Sequence, residues 1–196
     1  MSGDVLFSIL MPTLVDRRAI RAPLLRELER QVRGQPVEIL LDEDSRERTT
    51  GRKRNDLLGR ARGKFSAFID DDDWVSDTYV EDVLAVVNAI DIDCVGFWGE
   101  ARWEDGLIRR MIHSLMCPVW TEWKSDDLGY VYYRHPNHLN PIRTDLARSI
   151  RYPDITISED HIWTRAMAAS GKLRKEVFLA GKCFYTYRPH GAVRGL

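Results

Sequence analysis

The stretch Phe65-Ser66-Ala67-Phe68-Ile69-Asp70-Asp71-Asp72-Asp73-Trp74 joins an apolar run to four consecutive aspartates. Apolar and small residues between Lys64 and the acidic cluster read as a buried strand. The carboxylates then leave its C-terminal end together, and in open α/β sheets ligands bind in the crevice beyond those ends. Carboxylates packed this closely repel one another and hold protons more tightly. A divalent cation relieves that repulsion, and hard oxygen ligands suit Mg²⁺ or Mn²⁺. The same residues also fit a solvated acidic turn capping a helix that begins near Ser76.

Outward from this stretch, strands and helices alternate. Residues 5–11 are β-rich and end at Pro12-Thr13. Residues 17–32 have helical apolar spacing through Ile20, Leu24, Leu25, Leu28 and Val32, and stop at Gly34. Residues 37–41 form a short apolar strand ending in Asp42-Glu43-Asp44-Ser45, and residues 49–61 a helix closed by Gly63. A helix over 76–90 and a strand over 92–98 follow. This alternation predicts an α/β fold, a mostly parallel central sheet flanked by helices with right-handed crossovers. Pro12-Thr13, Asp42-Glu43 and the four aspartates then converge on one crevice.

After Trp98 the pattern changes. Segments 100–104 and 107–113 flank Asp105-Gly106, a hairpin signal. Residues 114–133 read as irregular and aromatic-rich, 141–150 and 158–170 as helices, 174–179 and 182–187 as short strands, and the stretch from Arg188 as loop. The expectation is one domain over residues 1–196, with a nucleotide-binding half (1–98) and an acceptor and catalytic half (99–196) made of a small β/loop region.

Composition narrows the classes. The chain has 196 residues, 44% apolar and 30% charged, with a formal net charge of −1. Those values suit one soluble globular domain and argue against a uniformly basic nucleic-acid binder. Arginines concentrate between residues 46 and 64, next to the acidic cluster. A phosphate-bearing ligand gripped by arginines and bridged by a metal accounts for both signs side by side. Cys94, Cys117 and Cys183 are too widely spaced for a zinc knuckle or redox CxxC, and point to a reducing compartment. No run is long enough to span a bilayer, and the N-terminal apolar run lacks a basic leader, so the expected location is the cytoplasm. The segment Gly59 to Lys64 suggests a P-loop, yet it is one residue short between its glycines and lacks the following Ser or Thr.

Four segments, in order, resemble the family 2 glycosyltransferases, nucleotide-sugar enzymes of the GT-A fold (Rossmann-like). They are Phe7 to Thr13, like the family's opening strand and Pro-Thr turn; Glu38 to Ser45, like its nucleoside-holding acidic turn; Gly51 to Trp74, like its Arg-Asn helix and DxD strand end; and Ile157-Ser158-Glu159-Asp160, like its Glu-Asp motif. Asp44 departs from the Gly or Asn frequent in the second segment, and Arg46 to Arg48 replace small polar residues.

The resemblance implies metal-dependent transfer of a sugar, with inversion, from a nucleoside-diphosphate sugar, UDP-linked first, to an acceptor hydroxyl. The diphosphate departs with negative charge, which a metal and fixed cations stabilise. On this reading Asp72 ligates Mn²⁺ or Mg²⁺ directly, Asp70 orients the ribose or the metal's water shell, and Asp71 and Asp73 are substitutes in a blurred register. Asp73 equally suits a helix N-terminus. Asp42 meets the N3–H of a uracil-like ring beside Pro12 and Thr13, and Arg54 lies near the nucleotide or diphosphate. Asp160 is the general base. His190 supplies a further metal ligand from a terminal loop, with His138 as its rival. The tryptophans and tyrosines of the later half suit stacking on sugars or bases as well as ordinary packing.

A glycan is the leading acceptor, ahead of a hydroxymethylated DNA base or a protein side chain. Two other classes share these features: a nucleotidyltransferase, and a non-catalytic nucleotide-sugar-binding module. Oligomeric state is not legible.

Overall fold

The computed structural model describes residues 4–103, 106–125 and 129–188. Strand β1 (Phe7–Leu14) lies centrally, paired in parallel with β2 (Val37–Asp44) on one side and β3 (Phe65–Phe68) on the other. Its residues alternate between two buried clusters: Phe7, Ile9 and Met11 face one, Leu10 the other. In β3, Phe65 and Ala67 oppose Phe68 in the same way. A parallel sheet covered on both faces demands this period of two with apolar residues on either side. Each of the large side chains among them contributes roughly 1.5–3 kcal/mol on burial.

Helix α1 (Arg18–Gln31), after one 3-10 turn at Val15–Arg17, covers the first face together with α3 (Tyr79–Ala89) through Leu24, Leu28, Val80, Val83 and Val87. Helix α2 (Thr50–Arg60) covers the second, joined by α4 (Thr144–Arg148) and α5 (Glu159–Ser170) through Leu57, Leu58, Ala147, Trp163 and Met167. Thr49 caps α2, its hydroxyl accepting from Arg52 N at 3.1 Å.

The two-residue strand β4 (Trp74–Val75) follows the aspartates, so α3 starts at Tyr79 rather than near Ser76. Strand β5 (Cys94–Arg102) pairs antiparallel with β6 (Ile108–His113), as the hairpin signal predicts; Gly106 sits at φ 81°, where a side chain is strained. Residues 114–133, expected to be irregular, instead contain β7 (Trp120–Ser125) and most of β8 (Gly129–Arg134), an antiparallel pair whose β8 runs parallel to β6. The expected helix over 141–150 is divided into β9 (Ile142–Arg143) and α4. Two short strands, β10 (Glu176–Leu179) and β11 (Tyr185–Tyr187), both run parallel to β5. Among the described residues the main sheet path is β2-β1-β3-β9-β5-β6-β8-β7.

Strand β9 bridges the two halves, antiparallel to both β3 and β5. It is preceded by a tight turn in which Phe68 N donates to His138 O at 2.8 Å and Val95 N to Pro141 O at 2.9 Å. That turn delivers His138 to the end of β3, where the aspartates begin. No helix among the described residues is long and apolar enough to cross a membrane.

Candidate active site

The aspartates diverge as they leave β3. Asp71 turns toward β1, accepting from Thr13 Oγ1 at 2.5 Å and from Arg17 Nε at 2.8 Å. Asp72 meets Arg17 Nη2 at 2.5 Å. Asp73 is buried, accepting from Tyr185 Oη at 2.6 Å and Arg188 N at 2.8 Å, and so pins β11. Asp70 points the other way, toward α2 and α5. Its carboxylate meets Arg54 Nη2 at 3.1 Å and His138 Nε2 at 3.4 Å.

Electrostatics differ across the four. Burial opposes ionisation of Asp70, but Arg54 and His138 outweigh it and hold the carboxyl below its ordinary range. Burial pushes the Asp72 carboxyl up, and Asp70 and Asp71 add to this against the pull of Arg17. Asp73 is driven further up by burial and by Asp70. Burial, more than repulsion from its neighbours, thus opposes the ionised form of Asp72.

Arg54 joins the two halves. Its guanidinium is buried, donates from Nε to Glu159 Oε1 at 3.1 Å as well as to Asp70, and lies 4.8 Å from the centroid of the Phe68 ring. Asn55, its neighbour, clamps residue 152 from both sides: Nδ2 donates to Tyr152 O at 2.9 Å and Oδ1 accepts from Tyr152 N at 3.0 Å. Tyr152 stacks on Trp163 of α5 with centroids 4.9 Å apart. The Arg-Asn pair on α2 thus fixes the segment leading to Glu159-Asp160. That segment enters α5 through Ser158, a non-glycine residue at φ 69°, a strained conformation of the kind concentrated at functional sites.

Asp160 completes the cluster. Its Oδ2 lies 3.7 Å from His138 Nδ1, so one imidazole stands between the end of β3 and the start of α5. Asp70, Arg54, His138 and Asp160 line one cavity of ≈ 350 Å³. A second cavity, of ≈ 400 Å³, is lined by Pro12, Thr13, Arg17, Arg48, Lys53 and Asp71 among others. Thr156 belongs to the walls of both.

The expected residues thus fall into two groups. Pro12, Thr13 and Asp71 border the basic cavity; Arg54, Asp70 and Asp160 border the acidic one. Asp42 is adjacent to Pro12 in the strand register, yet its carboxylate is held by Arg48, which takes its place in the cavity wall. Asp72 lies at the Arg17 bridge. His190 lies outside the described residues. Residues 103 and 98 face arginines, Arg109 over Trp103 at 5.1 Å and Arg110 over Trp98 at 5.5 Å.

Sequence reasoning missed Arg17, Lys53 and Asn55. Lys53 Nζ donates to Thr13 O at 2.8 Å and pairs with Asp44. Arg17 carried no signal beyond its place after the first strand, whereas Lys53 and Asn55 flank Arg54 within the quoted motif.

Among the described residues no group of three or more His, Cys, Asp or Glu is placed to hold a metal. The donor set still fits Mg²⁺ or Mn²⁺, which take one or two carboxylates plus substrate phosphates rather than an all-protein cage. Asp72 fits this role by its place just past the end of β3, its side chain partly exposed and one of its oxygens, Oδ2, on Arg17.

These strand ends, with an acidic exit from β3 and a Glu-Asp pair opening α5, define a GT-A-type fold. The chain belongs to glycosyl transferase family 2, whose family model matches residues 10–158. Comparison with curated proteins by sequence finds no match. Among solved structures the chain is similar to S. aureus TarS, residues 1–349, with a TM-score of 0.65 at 18% identity over 93% of this chain and 60% of that one. TarS in complex with UDP gives a TM-score of 0.65 at 17% identity, covering 95% and 61%. TarS with UDP-GlcNAc gives 0.65 at 16% identity, covering 94% and 59%. At such identities the likeness is one of fold, and this chain spans about three fifths of the length of those fragments.

Proposed function

We propose that the protein transfers a sugar, with inversion, from a nucleoside-diphosphate sugar to an acceptor hydroxyl. One observation carries the reading: the acidic exit of β3 and the Glu-Asp start of α5 meet across His138 in a single cavity. A nucleotidyltransferase or a simple binding module gives that second carboxylate pair no task. The UDP and UDP-GlcNAc complexes of the TarS fold support a uridine nucleotide as donor.

The donor's diphosphate lies along the basic cavity, where Arg17, Arg46, Arg48 and Lys53 supply positive charge. Its sugar projects past Thr156 toward Asp70 and His138. Asp72, with Asp70 behind it, would hold Mn²⁺ or Mg²⁺, which as a Lewis acid stabilises the departing diphosphate. Asp160 takes the proton of the acceptor hydroxyl. The acceptor oxygen then bonds to the anomeric carbon as the bond from that carbon to the phosphate oxygen breaks. The electron pair leaves on the diphosphate, and the proton stays on Asp160. Arg54 holds Asp70 and Glu159 in place throughout.

Substituting Asp160→Asn tests this. The expected result is a loss of transfer of about 10²–10⁴-fold with UDP affinity unchanged, read from UDP release in the presence of acceptor. Near-normal transfer by that variant overturns the assignment. Release of pyrophosphate from a nucleoside triphosphate favours the nucleotidyltransferase instead.

A further inference from the structure

Arg134 is the unusual cation of this cavity. It ends β8, lines the same wall as Asp160, and its Nε is enclosed without a hydrogen-bond partner. Its guanidinium makes no hydrogen bond or ion pair among the described residues, unlike Arg54 and Arg17 nearby. Burial pulls it down from its ordinary value, and the charge on Asp160 only partly offsets this. A cation so placed is only partly compensated until something anionic arrives.

Its neighbour points the same way. His113 faces Arg134 across the parallel β6/β8 register. His113 Nδ1 meets Asn140 Oδ1 at 3.2 Å, and since an amide oxygen only accepts, Nδ1 carries the proton. Burial holds the ring neutral, with a value near 3. Nε2 is therefore an acceptor, buried and without a partner. Of the residues carrying buried unpartnered polar atoms among those described, Arg54, His113, Arg134 and His138 all line this one cavity. Such atoms are costly unless a ligand satisfies them.

We infer that Arg134 and His113 form the acceptor's recognition subsite, taking an anionic group, carboxylate or phosphate, on Arg134 and a hydroxyl hydrogen on His113 Nε2. This deepens the proposed transfer reaction and rests on it for the word acceptor. The basic cavity bordered by Arg17 and Arg48 holds the donor, so the anion at Arg134 is a second one, on the far side of the transferred sugar.

The test uses the full chain saturated with UDP and Mn²⁺, which fills the donor cavity. Binding of two matched pairs is followed by ligand-observed NMR: glycerol 1-phosphate against glycerol, and glucuronate against glucose. The wild type is expected to prefer the anionic member of at least one pair by roughly tenfold, the worth of a charge-assisted hydrogen bond. Selection in the first pair alone assigns phosphate; in the second alone, carboxylate. Arg134→Gln should lose the preference and Arg134→Lys recover part of it. UDP affinity should stay unchanged in both, and thermal stability of Arg134→Gln unchanged or raised, because a half-buried charge without an ion-pair partner has been removed. Equal binding of charged and neutral members, or weakened UDP binding in Arg134→Gln, overturns the inference. Asp160→Asn keeps the preference even if Asp160 is not the base, so the two assignments fail separately.

Discussion

Arg54 illustrates what one side chain can fix. It is enclosed, charged, and shared between Asp70 at the end of β3 and Glu159 at the start of α5, 3.1 Å from each. Removing one member of a buried charge set leaves the others uncompensated, at a cost of about 3–5 kcal/mol. Arg54→Met should therefore lower the urea midpoint by that equivalent, while Arg52→Met on the exposed side of α2 should leave it within about 0.5 kcal/mol. His113 gives a pH signature. Above about pH 6.5 its ring is neutral folded or unfolded, whereas between 6.5 and about 3 the unfolded chain binds a proton that the folded chain refuses. Stability then falls as pH drops through that window. His113→Asn should flatten this part of the acid-denaturation profile, measured by circular dichroism; an unchanged slope would mean that the folded ring protonates normally.

At the scale of elements, the contact between α2 and the chain before α5 sets where Asp160 stands. Gly51 makes it possible: a Cβ there would lie 1.8 Å from Pro153 O, and Gly51 N donates to Ile155 O at 3.0 Å. Gly51→Ala must push the two apart, costing about 1–3 kcal/mol, and transfer should fall further than stability because the Ser158 to Asp160 entry moves. A Gly59→Ala control has open space at its Cβ. The parallel half was legible because period-two burial, a helix cap at Thr49 and strand-end acids are local signals. Strand β1 nevertheless runs on through Pro12, since the β3 pairing ends at Leu10 and that flank no longer requires a donor. The β7/β8 pair was hidden for the opposite reason. Its Tyr-Val-Tyr-Tyr run has strand propensity, but β8 is held by a parallel partner, β6, that no turn announces. Likewise β9 has two residues and is a strand only because β3 and β5 leave a gap for it.

For the whole molecule, the acidic run and the Glu-Asp pair were visible as motifs, while His138 was legible only as a rival metal ligand; its place between Asp70 and Asp160 was not, because a tertiary turn brings it there. The same holds for Arg134 and His113, paired across strands distant in sequence. The proposed reaction unites these parts through a donor lying across the parallel strand ends, its diphosphate on the basic side and its sugar facing Asp160. Calorimetry of UDP binding with and without Mn²⁺, on the wild type, Asp72→Ala and Asp160→Asn, tests this most directly. Mn²⁺-enhanced affinity is expected in the wild type, lost in Asp72→Ala and retained in Asp160→Asn. UDP binding that ignores Mn²⁺, or an Asp72→Ala variant that binds like the wild type, would contradict this placement.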